Sequence, residues 1–232
     1  MCRRYSFFSS AAAAGRGLNA RPAAFFNWQP QYNAVPGAWM PVITNEFADV
    51  IQFFRWGLTP QWAKDDKMGL GMYNTSIQKI KEKPAFEKIY KYKRCVVLSD
   101  GWFVLPHARK TPAKIVSEPG VRVHLPGNGV MCFAGIWDVW GDGLNSFSII
   151  THPATGQWAK LFPEMPLLLN SAQIPVWLYK GPAGNAQNDL LRPPVHTPLQ
   201  YYGVNQKPLL LGINDPTVLE PYSPPGQQHS LF

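Results

Sequence analysis

The sequence predicts an α+β fold dominated by strands. Its 232 residues fit one large domain or two small ones, and a hydrophobic fraction of 46% is enough for a sizeable core. The 23 prolines and 19 glycines interrupt the chain throughout, so long helices are not expected. Short runs rich in Val, Ile and Phe recur between Gly, Pro, Asn or Asp residues, which is typical of strands.

These apolar runs predict strands, in chain order, at residues 41–44, 50–54, 94–98, 121–125, 130–136 and 146–151. Residues 181–198 are rich in Pro, Gly and Asn and predict a long loop rather than a linker between domains. Residues 221–232 form a Pro/Gln/Ser-rich tail that we expect to be mobile. A single domain is therefore expected over residues 1–220.

Three segments predict short helices, at residues 9–16, 83–90 and 171–178. The first is weakly helical through its Ser and Ala content. The second contains Pro84, which the first turn of a helix tolerates because no backbone N–H is needed there. In the third, Ser171 can cap the helix and Pro175 shortens it.

The charge balance and the aromatic content point to a polyanionic partner. Lys and Arg outnumber Asp and Glu by 22 to 14, and the chain holds nine Trp, nine Tyr and thirteen Phe. A basic surface with aromatic rings suits single-stranded nucleic acid, whose phosphates attract cations and whose bases stack. A protein that is basic without binding nucleic acid is an equally good interpretation of the charge alone.

The three cysteines are Cys2, Cys95 and Cys132. An odd number without a Cys-x-x-Cys pair predicts neither a disulfide framework nor a zinc site, so no metal and no cofactor are expected. Cys95 and Cys132 lie in apolar runs and are predicted to be buried strand residues. Reduced thiols, together with the lack of a signal peptide or a membrane-spanning apolar run, predict a cytoplasmic protein, associated with the nucleoid when bound to DNA.

Cys2 can supply unusual chemistry. Methionine aminopeptidase removes Met1 when the next residue is small, which would leave an α-amine and a thiol on Cys2. The amine can form a Schiff base with an aldehyde, and the thiol can close the imine into a thiazolidine. The alternative is that Cys2 is a small hydrophobic residue with no chemical role.

Several segments together resemble one family. In chain order they are Met-Cys-x-Arg-Tyr at 1–5, Tyr-Asn-x-x-Pro-Gly at 32–37, Phe-Arg-Trp-Gly-Leu-Thr-Pro-Gln-Trp at 54–62, Tyr-Asn-Thr at 73–75, Lys-Pro-Ala-Phe at 83–86, Arg-Cys-Val-Val-Leu-Ser-Asp-Gly-Trp-Phe at 94–103, Ala-Gly-Ile-Trp at 134–137, Ser-Ile-Ile-Thr at 148–151 and Met-Pro-Leu-Leu-Leu at 165–169. Their identity and order resemble the SRAP family, the SOS response-associated peptidases or abasic-site processing proteins. The resemblance covers roughly residues 1–180 and implies a pseudo-barrel of bent sheets with a few short helices.

The resemblance also implies a chemistry. An abasic site in single-stranded DNA exposes a sugar aldehyde, which family members trap as a thiazolidine on the cysteine at this position. They also remove their own residues ahead of that cysteine, and they can reverse the cross-link. Cys2 and Asn74 match the family pattern, so the resemblance implies that they are catalytic.

The match fails at four positions that carry charge or move protons in the family. The family glutamate is replaced by Val104 and the family histidine by Phe162. An arginine and a second glutamate are replaced by Ser76 and Gln78. General acid–base help typically contributes 10²–10⁴ in rate, so proton-dependent steps, including self-processing, are predicted to be weakened.

Three residues are candidates to replace the missing acid–base groups. His107 lies three residues after Val104, His152 directly follows Thr151, and Glu164 lies two residues after Phe162. A lone histidine is more often a surface or a hydrogen-bonded structural residue than a catalyst, so both interpretations stay open for each of them.

The candidate DNA contacts lie in or beside the motifs quoted above. Arg4 is the strongest, because an arginine fork binds phosphate with two hydrogen bonds. Arg3 stands where the family usually has glycine and adds a charge beside Cys2. Pro36 is predicted to form a rigid loop edge, and Thr151 is predicted to bind DNA. Trp62 is predicted to stack on a base, and the alternative is that it is a core tryptophan.

Two rival hypotheses remain beside covalent sensing of abasic sites. One is a catalytically inactive relative that binds DNA or a protein without covalent chemistry. The other is a peptidase acting on other proteins, which is weak because no Ser/His/Asp set is evident in the sequence.

Overall fold

The computed structural model describes residues 2–24, 28–105, 119–192 and 198–223. Its strands, in chain order, are β1 (Arg4–Phe7), β2 (Arg21–Pro22), β3 (Gln31–Ala34), β4 (Trp39–Thr44), β5 (Val50–Trp56), β6 (Asn74–Ser76), β7 (Arg94–Ser99), β8 (Gly101–Val104), β9 (Gly120–His124), β10 (Met131–Trp140), β11 (Leu144–Pro153), β12 (Glu164–Pro166), β13 (Leu168–Leu169) and β14 (Gln200–Val204). Its α-helices are α1 (Ala11–Leu18), α2 (Ile77–Glu82), α3 (Pro84–Tyr92), α4 (Gln173–Trp177), α5 (Asn185–Leu190) and α6 (Gln206–Leu210). Short 3₁₀ helices lie at Asp66–Gly71, Pro126–Asn128, Gly156–Lys160 and Pro216–Leu219.

Five strands close into a barrel in the order β11–β10–β7–β4–β5. The closing pair is parallel and joins β5 to β11, with Arg55 opposite Ser146 and Trp56 opposite Phe147. Gly135 on β10 is required by this packing, because a Cβ atom there would lie 2.8 Å from the Sγ of Cys95 on β7. The strand-rich α+β pseudo-barrel predicted from the sequence is therefore confirmed.

A second sheet carries the N-terminal strand and has the order β14–β9–β8–β1–β3. It packs against the barrel through aromatic contacts. The ring of Tyr5 on β1 lies 4.8 Å from the ring of Trp56 and 6.1 Å from that of Phe133, measured between centroids. These contacts place the residues just before β1 beside the barrel wall.

The short strand β6 extends the barrel sheet on the side that faces the N-terminus. It pairs in parallel with β11, with Asn74 opposite Ile149 and Ser76 opposite Thr151. The hydroxyls of Thr75 and Ser148 form a buried hydrogen bond of 2.9 Å that ties the two strands together. Ser76 then starts α2, because its hydroxyl accepts a hydrogen bond from the backbone N–H of Lys79.

Arg94 is a fully buried cation that joins two segments of backbone. Its guanidinium donates to the carbonyl oxygens of Tyr90, Lys91, Trp177, Tyr179 and Gly181. The first two carbonyls end α3, and the other three follow or end α4. One side chain therefore supplies the partners that the last carbonyls of both helices lack within the helices themselves.

All six predicted strands are present. The largest difference is in β10, which continues to Trp140 instead of ending at residue 136. Cys95 and Cys132 are buried on β7 and β10, as predicted. The predicted loop at residues 181–198 is partly wrong, because it contains α5.

Two predicted helix starts are corrected. Ser9 does not begin α1; its hydroxyl and backbone N–H bind the carboxylate of Asp100, and Ser10 caps the helix instead. Ser171 does not cap α4, since the side chain of Asn170 accepts the hydrogen bond from the backbone N–H of Gln173. Within the described part of the chain, the helices are all too short and too polar to cross a bilayer.

Candidate functional site

The structure brings Cys2 and Asn74 into contact, although 72 positions separate them. The side-chain amide of Asn74 donates a hydrogen bond of 2.6 Å to the backbone carbonyl of Cys2. Asn74 can reach it because β6 is held against β11, next to the chain that enters β1. The other amide atom of Asn74, its Oδ1, is buried and has no hydrogen-bond partner among the described residues. It remains available to accept a hydrogen bond from a group that enters the site.

The thiol of Cys2 is sheltered. Only 1% of the residue is exposed, and its Sγ lies 3.7 Å from the carbonyl oxygen of Arg4. Burial raises the pKa of this thiol to about 12, so it is protonated at neutral pH. A proton acceptor is needed before the sulfur can act as a nucleophile.

Two arginines stand beside Cys2, and neither pairs with a carboxylate among the described residues. Arg4 is half-buried, and its NH1 donates to the Oδ1 of Asn33 at 2.9 Å. Arg3 is exposed and its Nε donates to the hydroxyl of Tyr73 at 2.8 Å. Burial lowers the pKa of Arg4, but a guanidinium stays charged at neutral pH. Two guanidinium charges therefore lie beside Cys2 without a carboxylate partner among the described residues.

A pocket of about 380 Å³ opens at these arginines. Its lining residues are Arg3, Arg4, Val35, Pro36, Tyr73, Phe103, Leu105 and Leu210. Cations at the rim and apolar walls suit a ligand that carries both phosphate and an apolar face, such as a nucleotide.

The positions where the family has its glutamate and histidine are apolar in structure as well as in sequence. Val104 is half-buried at the end of β8 and packs against the main core cluster, which also contains Cys2. Phe162 is 2% exposed and lies between two indoles. It stacks on Trp158 at 6.0 Å and meets Trp102 edge-on at 6.1 Å.

The other two departures from the family pattern have structural roles. Ser76 is the N-cap of α2, as described above. Gln78 is on the first turn of that helix and donates to the carboxylate of Glu82 at 2.8 Å on the exposed face. Thr151 is buried on β11 directly opposite Ser76.

The candidate acid–base substitutes lie in different places. His152 is buried on β11, and its Nδ1 is 2.8 Å from the carbonyl oxygen of Pro153. Burial lowers the pKa of His152, which favours the neutral imidazole. Because side chains alternate along a strand, His152 points to the face opposite Thr151, and the register places Asn74 on the Thr151 face. Glu164 is half-buried on β12, opposite Pro153.

Two residues on which the hypothesis depends, Met1 and His107, lie outside the described residues. Among the predicted DNA contacts, Arg3, Arg4 and Pro36 line the pocket. Trp62 does not belong to that lining; it lies in the turn after Pro60, and 54% of its surface is exposed.

Sequence reasoning missed three residues that shape this site. Tyr73 and Asn33 stand inside the quoted motifs Tyr-Asn-Thr and Tyr-Asn-x-x-Pro-Gly, so their presence was a signal that could have been used. Leu210 carries no such signal, since it comes from α6 near the other end of the chain. Only the folded structure places it at the pocket.

Comparison with known proteins extends this picture. The family described as SOS response associated peptidase (SRAP) matches residues 1–207. The chain is 30% identical over 159 residues to the abasic site processing protein YoqW of Bacillus subtilis, covering 65% of this chain and 67% of that protein. It is 29% identical over 184 residues to the abasic site processing protein HMCES of Gallus gallus, and the match spans 54% of that longer protein and 65% of this chain.

Solved structures share the fold. A crystal structure of a protein from Bacteroides thetaiotaomicron superposes with a TM-score of 0.80 at 23% identity, covering 96% of this chain and 100% of the other. A phage-related protein from Bordetella bronchiseptica superposes with a TM-score of 0.69 at 21% identity, covering 88% of this chain and 94% of that one. At these identities the likeness concerns the fold alone.

Proposed function

The chain belongs to the SRAP family, and from that premise we propose that it binds single-stranded DNA and captures abasic sites covalently through Cys2 once Met1 has been removed. The relatives named above are abasic site processing proteins, which supports the choice of substrate. The proposal includes weakened proton-dependent steps, both in reversal of the cross-link and in removal of residues ahead of Cys2.

One observation carries the proposal: the hydrogen bond of 2.6 Å from the amide of Asn74 to the carbonyl of Cys2. The sequence neighbours Tyr73 and Arg3 line the pocket together with Arg4, and neither arginine pairs with a carboxylate among the described residues. The amide fixes the backbone of the residue that bears both reacting groups. Holding reactants in place in this way can supply much of the rate, because the loss of freedom occurs before the reaction.

The reaction balances without any cofactor. The α-amine of Cys2 attacks the sugar aldehyde, and the oxygen leaves as one water molecule when the imine forms. The thiol sulfur then adds to the imine carbon, and its proton passes to the nitrogen. The net result is one C–N and one C–S bond formed and one C=O bond lost, with no change in oxidation state.

In this proposal the arginines bind the DNA backbone. Arg4 and Arg3 offer guanidinium donors to phosphates on either side of the abasic sugar, and a charged fork suits phosphate better than a neutral donor does. The apolar walls, Phe103, Leu105 and Val35, would contact the sugar or a neighbouring base. Each phosphate contact releases counterions, so binding should weaken as salt rises.

The proton-dependent steps have less support from side chains than in relatives with a full set of catalytic residues. Valine and phenylalanine exchange no protons, and Phe162 is closed off between two indoles. The Oδ1 of Asn74, buried without a described partner, can accept a hydrogen bond but cannot act as a base at neutral pH. We therefore expect slow formation of the cross-link and slower reversal.

Intact mass spectrometry tests the proposal directly. Protein incubated with abasic single-stranded DNA should gain the mass of the DNA less one water, and the mass of the free protein should show that Met1 is absent. The same oligonucleotide with an intact base at that position is the substrate control, and Cys2→Ser is the protein control. No adduct after prolonged incubation of protein that lacks Met1 would overturn the covalent proposal.

A second candidate function is non-covalent DNA binding by an inactive relative. It is favoured by the buried, protonated thiol of Cys2 and by the apolar residues at both family acid–base positions. In that case the mass assay gives no adduct, while salt-sensitive binding to the same oligonucleotide persists.

A further inference from the structure

Asn33 on β3 joins Arg4 to a segment close to the other end of the chain. The asparagine is buried, with 6% of its surface exposed. Its Nδ2 donates to the carbonyl oxygens of Leu209 and Ile213, at 3.0 and 2.9 Å. Its Oδ1 accepts the hydrogen bond of 2.9 Å from Arg4. One amide group takes part in all three hydrogen bonds, so its orientation is determined.

The same segment also holds the backbone of β3. The side chain of Asn214 accepts hydrogen bonds from the backbone N–H groups of Tyr32 and Asn33, at 2.7 and 3.1 Å. β3 is the edge strand of its sheet, next to β1. Asn214 therefore takes the place of a neighbouring strand along part of that edge, and it keeps β3 beside Arg4.

We propose that Asn33, fixed by the segment from residue 209 to 214, is a positioning residue for Arg4. A flip of the Asn33 amide would turn its Oδ1 toward two carbonyl oxygens and its NH₂ group toward a guanidinium, so both ends would lose their bonds. The amide thus always presents oxygen to Arg4. This selects one arrangement of a side chain that otherwise samples many rotamers.

The choice of an amide rather than a carboxylate has a consequence for charge. A neutral oxygen orients the guanidinium without cancelling its positive charge, which leaves that charge for a phosphate. An aspartate would still accept from Arg4, but it would neutralise the charge and face the carbonyl oxygens of Leu209 and Ile213 without protons to donate. Asparagine satisfies both neighbours, so the site is both fixed and positively charged.

The segment also forms part of the pocket wall, since Leu210 lines it beside Arg4. Leu209, one residue earlier, is fully buried in the smaller core cluster with Phe103, the residue opposite Arg4 on β8. The carbonyl that binds Asn33 is thus anchored by packing. This inference rests on the proposed function, because the orientation of Arg4 affects DNA binding only if Arg4 contacts the DNA.

The test measures binding of a fluorescent single-stranded oligonucleotide by anisotropy at several salt concentrations. Asn33→Ala should weaken binding about 3- to 10-fold, the range expected when one long side chain must be ordered on binding. The double variant Arg4→Ala with Asn33→Ala should bind no more weakly than Arg4→Ala alone, because Asn33 acts through Arg4. Asn33→Asp should weaken binding and lower the salt slope by about one phosphate contact.

Asn45→Ala is the matched control. Asn45 is also buried, donates to the carbonyl of Tyr92, and accepts from Arg94 and Trp137. None of these residues lines the pocket. It should lower the stability as Asn33→Ala does, yet leave DNA affinity unchanged. If Asn33→Ala does not fold, Asn214→Ala replaces it, since Asn214 is exposed and touches only the edge of β3 and Pro30 among its described hydrogen bonds.

The two hypotheses fail in different ways. If Arg4→Ala binds DNA as well as the wild type, the role of Arg4 in the proposed function is refuted. If Arg4→Ala weakens binding but Asn33→Ala does not, or if the two effects add, the positioning role is refuted and the proposed function stands. An equal loss of affinity in Asn45→Ala would show that the Asn33 effect is only a loss of stability.

Discussion

Replacing Phe162 by histidine restores the residue type found in the family and also perturbs a buried aromatic cluster. Phe162 stacks on Trp158 and meets Trp102 edge-on, with centroid distances of 6.0 and 6.1 Å. Aromatic pairs contribute about 0.5–1.5 kcal/mol each beyond the burial of area. An imidazole without hydrogen-bond partners adds a desolvation cost of about 1–3 kcal/mol. We therefore expect Phe162→His to lower the free energy of unfolding by about 2–6 kcal/mol.

The assay is urea denaturation followed by tryptophan fluorescence, with Phe162→Leu as the matched variant. Leucine loses both ring contacts but brings no polar atom into the core, so the difference between the two variants isolates the desolvation of the imidazole. A value for Phe162→His within about 0.5 kcal/mol of the wild type, which is the range of neutral surface changes, would refute the packing described for Phe162.

The chemical effect depends on a second change. Burial lowers the pKa of a histidine, so the introduced imidazole would be neutral at pH 7 and able to accept a proton. Combined with Val104→Glu, it should speed cross-link formation and reversal, by at most the 10²–10⁴ typical of general acid–base catalysis. If the wild type forms and reverses the adduct as fast as this double variant, another residue supplies the proton transfer.

Three further predictions follow from burial and charge. Arg94→Lys should lower the free energy of unfolding by about 2–4 kcal/mol, because an ammonium has three donors for five carbonyls. Urea denaturation measures this loss, and a loss below about 0.5 kcal/mol would contradict the hydrogen-bond network of Arg94. Burial raises the pKa values of Cys2 and Cys132 to about 12, so the unfolded chain loses these protons first and stability should fall as pH rises above 9. Urea midpoints that stay constant from pH 8 to about pH 10.5 would oppose this. Trp62→Ala should weaken binding to single-stranded DNA by about 1–3 kcal/mol if a base stacks on the exposed indole, and anisotropy titrations with unchanged affinity would exclude that contact.

The long strands could be predicted from the sequence because their apolar runs carry the signal themselves. β7 is a continuous apolar run, and apolar and polar residues alternate along the first part of β11. Both strands could therefore be predicted without knowing their neighbours in the fold. β6 could not be found in this way. It has three residues, and it is a strand only because β11 lies beside it. From the sequence alone, Asn74 is typical of a turn, and it lies in a strand because it pairs with β11.

The candidate site was predictable to the extent that it lies in the quoted motifs. Cys2, Asn74 and Arg4 all come from such segments, and the structure places them close together. The part supplied by Leu209 to Asn214 could not be predicted, because nothing in a short apolar run says which distant strand it will contact. Its contribution depends on backbone carbonyls, which have no signature in the side-chain sequence.

The hydrogen bonds from Asn33 to Leu209 and Ile213 also determine when this part of the site can form during synthesis of the chain. Cys2 and Arg4 leave the ribosome early, whereas the carbonyls that bind Asn33 are made roughly 200 residues later, which takes about 10–40 s at the usual speed of translation. The last barrel strand, β11, ends at Pro153, so until that strand is made the Cys2 thiol lacks part of the core that buries it in the folded protein. Complete burial of the Cys2 thiol is thus reached only after most of the chain has been made.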